Sequence, residues 1–169
     1  MGWTFEMLFF SVLNHRSDGV RLFDAEGKSH NWPKGTPTLF DPLNVAEKMN
    51  TLKRGGWIQP KKWNQGGYDA VLITKNEGTK THEVTFVQVA SGVEHDLKLY
   101  YMHALLRRLQ SFLSIGKVEV VFVVPRGNIH QFKIGNLTGT LVRYGWKKGE
   151  EKGKCKIWAL DEVWPYTDV

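Results

Sequence analysis

The sequence predicts an α/β fold with a central mixed sheet flanked by helices. Strands are predicted at residues 68–74 and 84–90, and a third at residues 118–124, a β-branched run closed by Pro125. Between the second and third strands, residues 94–113 have apolar side chains at helical spacing and contain no Gly or Pro. A helix that joins two such strands favours a right-handed crossover and parallel pairing of the strands.

The remaining elements are predicted in chain order from apolar spacing and turn residues. Residues 2–14 have the apolar content of a buried helix, and residues 20–23 and 28–32 flank a hairpin through Ala25-Glu26-Gly27. A loop with Pro37 then covers residues 33–42, and a short helix is predicted within residues 43–52. After Pro125 the pattern weakens, and short strands or a mixture of helix and strand are expected around a charged loop at residues 147–154.

Composition limits the class of protein. The 169 residues fit a single domain with a sizeable core. The single cysteine, Cys155, excludes an internal disulfide and a Cys-based zinc site. No apolar run approaches the roughly 20 residues that span a bilayer, and the N-terminal stretch lacks a signal-peptide pattern, so we expect no membrane partner. The net charge of +6 favours an anionic partner such as nucleic acid.

A polar residue stands in each of the first two predicted sheet strands. Asp69 lies at the start of one, and Gln88 lies between Val87 and Val89 in the other. Because buried acidic and amide side chains rarely lack a partner, two interpretations are open. The two residues form a hydrogen-bonded pair, or they belong to an acidic metal-binding site.

Glu6 shares one face of the first predicted helix with Phe9, Phe10 and Leu13. One interpretation is a carboxylate that interacts favourably with the helix dipole. The other is a carboxylate that points into a site on the sheet.

Residues 53–67 combine basic and amide side chains with two Trp and several Gly, directly before Asp69. Bases stack on aromatic rings and Lys pairs with phosphate, so Lys61, Lys62 and Trp63 are candidate nucleic-acid contacts. The alternative is a surface loop that its Trp residues attach to the core. Near the start of the long helix, His95, Lys98 and Met102 are expected on one stripe.

The runs GGWIQPKKWNQGGYDAVLI and VTFVQVASGVEHDLKLYYMHALLRRL resemble the nuclease-like domain of Crinkler effectors and the related retrotransposon hot spot proteins. That domain has the PD-(D/E)XK, or restriction-endonuclease-like, fold, whose core order is helix, strand, strand, helix, strand. The resemblance covers a core of about residues 3–125, which leaves residues 126–169 as a C-terminal extension of the same domain.

The resemblance implies a Mg²⁺ (or Mn²⁺) site and a role for each matching residue. Glu6 matches the helix carboxylate, Asp69 the strand Asp and Gln88 the Glu or Gln that together hold the ion. The family's Lys, two residues after Gln88, is replaced by Ala90. Lys98 could supply the missing cation, and His95 could bind phosphate or act as acid or base. The alternatives are a solvated Lys98 and a His95 that bonds to the backbone.

The resemblance also implies DNA as the partner and a nuclear site of action, in Crinkler-like proteins inside a host cell. Such proteins often carry a P-loop ATPase domain, but no Gly-x-x-x-x-Gly-Lys-Ser/Thr occurs here, so an ATPase domain or partner would be separate from this chain. Three hypotheses follow: a Mg²⁺-dependent nuclease, a degenerate nuclease fold kept as a binding or interaction module, and a protein-docking domain that uses Trp57 and Trp63.

Overall fold

The computed structural model describes residues 2–61 and 67–162 of the chain. The helices are α1 (Gly2–His15), α2 (Met49–Arg54), α3 (Leu99–Leu109) and α4 (Glu151–Lys154). The strands are β1 (Val20–Phe23), β2 (Ser29–Trp32), β3 (Thr38–Phe40), β4 (Gly56–Pro60), β5 (Ala70–Asn76), β6 (Thr81–Val89), β7 (Glu94–Lys98), β8 (Ile115–Val124), β9 (Lys133–Thr138) and β10 (Lys156–Leu160). Among these described helices, not one has the length and apolar character needed to cross a membrane.

Eight strands form one mixed sheet in the order β2-β1-β10-β8-β6-β5-β4-β3. At its centre β5 and β6 are antiparallel, whereas β6 and β8 are parallel. The chain reaches β8 from β6 through β7 and α3, so the predicted helical crossover with parallel pairing is confirmed. β10 pairs in parallel with β8 and places part of the C-terminal extension inside the sheet.

The sheet separates two apolar layers because side chains alternate between its faces. On one face, α1 packs through Phe5, Phe9, Val12 and Leu13 against a cluster that includes Leu72, Val87 and Val121. On the other face, α3 packs through Leu99, Met102, Leu105, Leu106 and Leu109 against a cluster that includes Val71, Phe86 and Phe122. This helix–sheet–helix layering confirms the predicted fold class at the level of an α/β fold with a mixed sheet.

The helix predicted over residues 94–113 is wrong at its first five residues. Residues 94–98 form β7, which pairs in parallel with β9 as a separate two-stranded sheet, and α3 begins only at Leu99. The segment has no Gly or Pro to break a helix, and the partner that makes it a strand lies far along the chain. The stripe of His95, Lys98 and Met102 on one helix therefore does not exist.

The segment predicted as an aromatic loop also contains a strand. Residues 56–60 form β4, between β3 and β5, and Trp57 and Ile58 are buried. Trp57 belongs to the α1 layer, and its Nε1 donates a hydrogen bond to the Pro33 carbonyl at 2.8 Å. Trp57 is therefore a core residue and cannot dock a protein, so the protein-docking hypothesis loses one of its two tryptophans. Trp63 lies outside the described residues.

Two glycines with the same backbone conformation allow a direct test of how tightly the turn between α1 and β1 packs against β2. Gly19 joins α1 to β1 with φ +85°, and Gly27 closes the β1–β2 hairpin with φ +82°. A Cβ at Gly19 would lie 2.2 Å from the Trp32 carbonyl oxygen, whereas a Cβ at Gly27 would have no atom within 4 Å. We expect Gly27→Ala to cost about 1 kcal/mol of unfolding free energy through backbone strain alone. Gly19→Ala should cost roughly 2–3 kcal/mol because the steric clash adds to that strain.

Urea unfolding of both variants beside the wild type measures this difference. Equal losses for the two variants would contradict it, since the backbone strain is shared and only the clash differs.

Candidate functional site

Asp69 lies immediately before β5, at the edge of the sheet where the parallel strands β6 and β8 end. Its backbone N–H donates to the Val87 carbonyl at 2.8 Å. Its side-chain Oδ2 accepts two hydrogen bonds, from the Val89 backbone N–H at 2.7 Å and from Gln88 Nε2 at 2.9 Å. The hydrogen-bonded pair, one of the two interpretations of the sequence, is thus present, and it fixes the carboxylate to the end of β6.

The electrostatic surroundings of Asp69 disfavour its charged form. Burial raises the pKa of Asp69 to about 7, with a further increase from the negative charge of Glu6. The hydrogen bond from Val89 opposes this change in pKa but is the smallest of the three effects. Carboxyl groups with such raised pKa values are typical of functional sites, although structural networks also produce them.

Glu6 lies beyond the first turn of α1, so it gains little from the helix dipole, which acts over that turn. The side chain is half-buried, and burial raises its pKa. The negative charge of Glu6 raises the pKa of Asp69, which agrees with the interpretation that the Glu6 carboxylate points into a site on the sheet. Within residues 2–61 and 67–162, the ion pairs join neither Glu6 nor Asp69 to a Lys, Arg or His.

Gln88 is buried, and its cross-strand neighbour on β8 is Phe122. Because its Nε2 donates to Asp69, its Oε1 is the atom that can accept a hydrogen bond or contact a cation. The described residues contain no cluster of three or more His, Cys, Asp or Glu side chains that could hold a metal. Mg²⁺ usually needs only one or two carboxylates, completed by water and phosphate oxygens. The Asp69 and Glu6 carboxylates and the Gln88 amide oxygen are thus donor groups of the chemical type that Mg²⁺ takes.

Ala90 occupies the position where the resembling family has lysine. Its side chain is buried in the α3 layer, and its N–H donates to the Val123 carbonyl at 2.9 Å. The side chain at this position therefore lies in an apolar environment that holds no charged group in place of the lysine.

His95 and Lys98 both belong to β7 rather than to a helix. The half-buried His95 ring lies 5.9 Å from the ring of Phe122 on β8, which is the cross-strand neighbour of Gln88 on β6. Its Nδ1 bonds to the Asp96 carbonyl at 2.8 Å, as one interpretation expected. Because a carbonyl only accepts, Nδ1 carries the proton and Nε2 is the acceptor of the neutral ring.

Lys98 is partly buried directly before α3. In the part of the chain that is described, it forms no ion pair with Glu6 or Asp69. The geometry therefore does not assign it as the replacement cation.

Of the predicted nucleic-acid contacts in residues 53–67, only Lys61 lies within the described residues. It follows β4 with an exposed side chain, and its backbone N–H donates to the Phe40 carbonyl at 2.9 Å. Lys62 and Trp63 lie outside the described residues. Lys61 also lines a cavity of about 400 Å³ that was not expected from the sequence.

This cavity is bounded by α3 and by the chain on either side of β4, and Tyr68, Tyr100 and Tyr101 contribute three of its lining side chains. The signal in the sequence was the spacing of Tyr101, Leu105 and Arg108 at i, i+4 and i+7, which places them on one face of a helix.

Comparison of the chain with protein-family models, with curated proteins and with solved structures found no match.

Proposed function

We propose that this protein is a nuclease that binds DNA and hydrolyses its phosphodiester bonds with Mg²⁺. The observation that carries this proposal is the hydrogen-bonded pair of Asp69 and Gln88 at the end of β6, whose buried carboxyl also feels the negative charge of Glu6. Two carboxyl groups with raised pKa values share this edge, and the described ion pairs supply no cation to either. A divalent cation would compensate both charges.

The order of elements supports the same proposal. α1, β5, β6, α3 and β8 occur in the chain order helix, strand, strand, helix, strand, which is the core order of the nuclease fold that the sequence resembles. Four strands and α2 lie between α1 and β5, and β7 lies between β6 and α3. In this arrangement α1 carries Glu6, β5 begins after Asp69 and β6 contains Gln88. The three side chains come from the elements that the resemblance assigns to the metal site.

The residues that would hold the ion are Asp69 and Glu6 through carboxylate oxygens and Gln88 through Oε1. When bound, Mg²⁺ (or Mn²⁺) supplies a Lewis acid at the phosphate and lowers the pKa of a coordinated water. The hydrogen bonds from Val89 and Gln88 orient the Asp69 carboxylate before any ligand arrives, which reduces the entropy lost on binding.

The protein's own groups also offer proton transfer and phosphate binding. His95 presents Nε2 as an acceptor because its Nδ1 is engaged by the backbone, so this ring can take a proton near the Gln88 end of β6. The exposed Lys61 side chain and the net charge of +6 favour a polyanionic substrate.

A second candidate function is a nucleic-acid-binding or interaction module with no catalysis. The buried, apolar environment of Ala90 favours it, because the cation that the resembling enzymes carry at this position is absent. Hydrolysis of phosphodiesters depends strongly on positive charge at the reacting phosphate. Cleavage activity separates the two candidates.

The test is cleavage of plasmid and linear DNA with Mg²⁺, with Mn²⁺ and with EDTA. We expect metal-dependent cutting by the wild type and by Glu26→Gln, whose carboxylate is exposed in the β1–β2 hairpin, which β10, β8 and β6 separate from Asp69. Asp69→Asn keeps the shape of the side chain and an acceptor for Val89 but removes the charge, so cutting should fall to background. Salt-sensitive binding without cutting under either metal would refute the nuclease and support the binding module.

A further inference from the structure

We propose that the cavity beside α3 binds an unpaired nucleobase, so that the substrate of the proposed nuclease is single-stranded or locally unpaired nucleic acid. The identification of the ligand as nucleic acid rests on the proposed function. The cavity of about 400 Å³ lies within the range of about 300–1,000 Å³ of small-ligand sites. Its lining includes three tyrosines, Leu43 and two cationic side chains, Lys61 and Arg108.

Exposed aromatic and apolar side chains form the entrance of this cavity. Tyr100 is 65% exposed, Tyr101 is 37% exposed and Leu43 is 75% exposed. The two tyrosine rings lie 5.4 Å apart at 81° to each other. Exposed apolar surface that is grouped in this way is typical of binding sites, and aromatic rings provide flat faces on which any base can stack.

The charges around the cavity suit a base that is attached to phosphates. Lys61 is exposed, and Arg108 is anchored by a hydrogen bond from Nη1 to the Ala104 carbonyl at 3.3 Å. These two cations can pair with the phosphates on either side of the bound base. Asp41 is the acidic residue of the lining, and its Oδ1 accepts the Leu43 N–H at 2.9 Å. A carboxylate here suits the exocyclic amino group of a base rather than a phosphate.

The cavity and the proposed metal site are joined by a short, well-packed segment. Tyr68 lines the cavity and is buried against Phe86, with ring centroids 5.2 Å apart, and the next residue is Asp69. Gly67 packs so closely on α3 that a Cβ there would lie 2.8 Å from the Tyr101 Cβ. A base held in the cavity therefore places its strand within reach of the Asp69 edge.

The preference for unpaired nucleic acid follows from the way in which bases stack. In a duplex both faces of each base are covered by its neighbours, so a protein ring reaches a base only after it leaves the stack. A single strand offers its bases at no such cost. The cavity should therefore distinguish unpaired from paired nucleic acid through the bases and not through the phosphates.

The test is fluorescence anisotropy of labelled oligonucleotides in EDTA, where binding is separated from cutting. The ligands are a short single-stranded DNA, the same strand in a duplex, and a strand of the same length built from abasic sites. We expect Tyr100→Ala to weaken single-strand binding roughly tenfold, the loss of one stacked base. Tyr100→Phe keeps the ring and should bind like the wild type. Since Tyr100 is mostly exposed, neither substitution should unfold the protein.

Two further results are expected. The abasic strand binds wild type at least as weakly as the natural strand binds Tyr100→Ala, because it lacks every base contact, and duplex binding is unchanged by Tyr100→Ala. The proposal is overturned if Tyr100→Ala binds the single strand like wild type, if the abasic strand binds as tightly as the natural strand, or if no oligonucleotide binds. If Tyr100 and the bases matter but no metal supports cutting, the proposed nuclease fails while the base site stands. If cutting is metal-dependent but Tyr100 has no effect, only the base site fails.

Discussion

Asp69→Asn is expected to raise the free energy of unfolding at pH 8 by about 2–4 kcal/mol in EDTA and to leave it nearly unchanged at pH 4. In the wild type, burial and Glu6 raise the pKa of Asp69 from 3.8 to about 7. Between about pH 4 and 7 the folded state therefore keeps a proton that the unfolded chain releases, so stability falls as pH rises, and the full penalty is present above pH 7. Asparagine removes this penalty and still accepts the Val89 hydrogen bond. Urea unfolding at both pH values measures the difference.

Glu6→Gln and Glu26→Gln are the matched controls. Glu6→Gln removes one cause of the raised Asp69 pKa and should give part of the gain at pH 8, whereas the exposed Glu26 should give none. Mg²⁺ should reduce the difference between wild type and Asp69→Asn, because it stabilises only the form that binds it. A loss of stability in Asp69→Asn at pH 8, or the same gain at both pH values, would show that the charge at Asp69 is not destabilising.

Phe9→Ala is expected to lower the free energy of unfolding by about 3–5 kcal/mol. Phe9 is fully buried between α1 and the sheet, and its ring lies 6.4 Å from the rings of both Trp32 and Trp57 in edge-on geometry. Removing the ring leaves a cavity among large, rigid neighbours that cannot close it. Thermal or urea unfolding of the variant measures the loss.

Met7→Ala is the control on the same helix, because Met7 is 51% exposed and should change stability by no more than about 0.5 kcal/mol. Phe9→Leu keeps most of the buried volume and should lose less than Phe9→Ala. Similar losses for Met7→Ala and Phe9→Ala would mean that α1 is stabilised by its helix propensity and not by its packing on the sheet.

The parts of the fold that the sequence predicted are those whose signal is local. Asp18-Gly19 and Ala25-Glu26-Gly27 mark the turns around β1 and β2, and the β-branched run of β8 has a strand pattern regardless of its partners. β7 was missed because its strand state depends on pairing with β9, which a local pattern does not contain. β4 was missed because its Gly and Pro residues are typical of loops, yet it is held between β3 and β5.

The candidate site was predicted only in part, because some of its residues have a local signal in the sequence and others depend on tertiary contacts. Asp69 and Gln88 stand out as polar residues in apolar strands, and adjacent strands bring them to hydrogen-bonding distance. The predicted helix began five residues too early, so Lys98 was expected on a helix face beside the site. Because Lys98 belongs to β7, that expectation has no structural support. The tyrosine-lined cavity needs the chain on both sides of β4 to meet α3, a tertiary contact that composition does not encode.

The position of β10 affects the order in which the chain can fold during synthesis. β10 lies between β1 and β8, so the β1–β2 hairpin, which is synthesised well before β10, has no neighbour in the sheet until β10 has been made. Until then, the apolar face of that hairpin and part of α1 lack their final partners Trp158 and Leu160. Such late closure between distant segments slows folding and exposes an unpaired strand edge to other chains. A ribosome-bound chain that stops before residue 156 should thus be the species most in need of a chaperone.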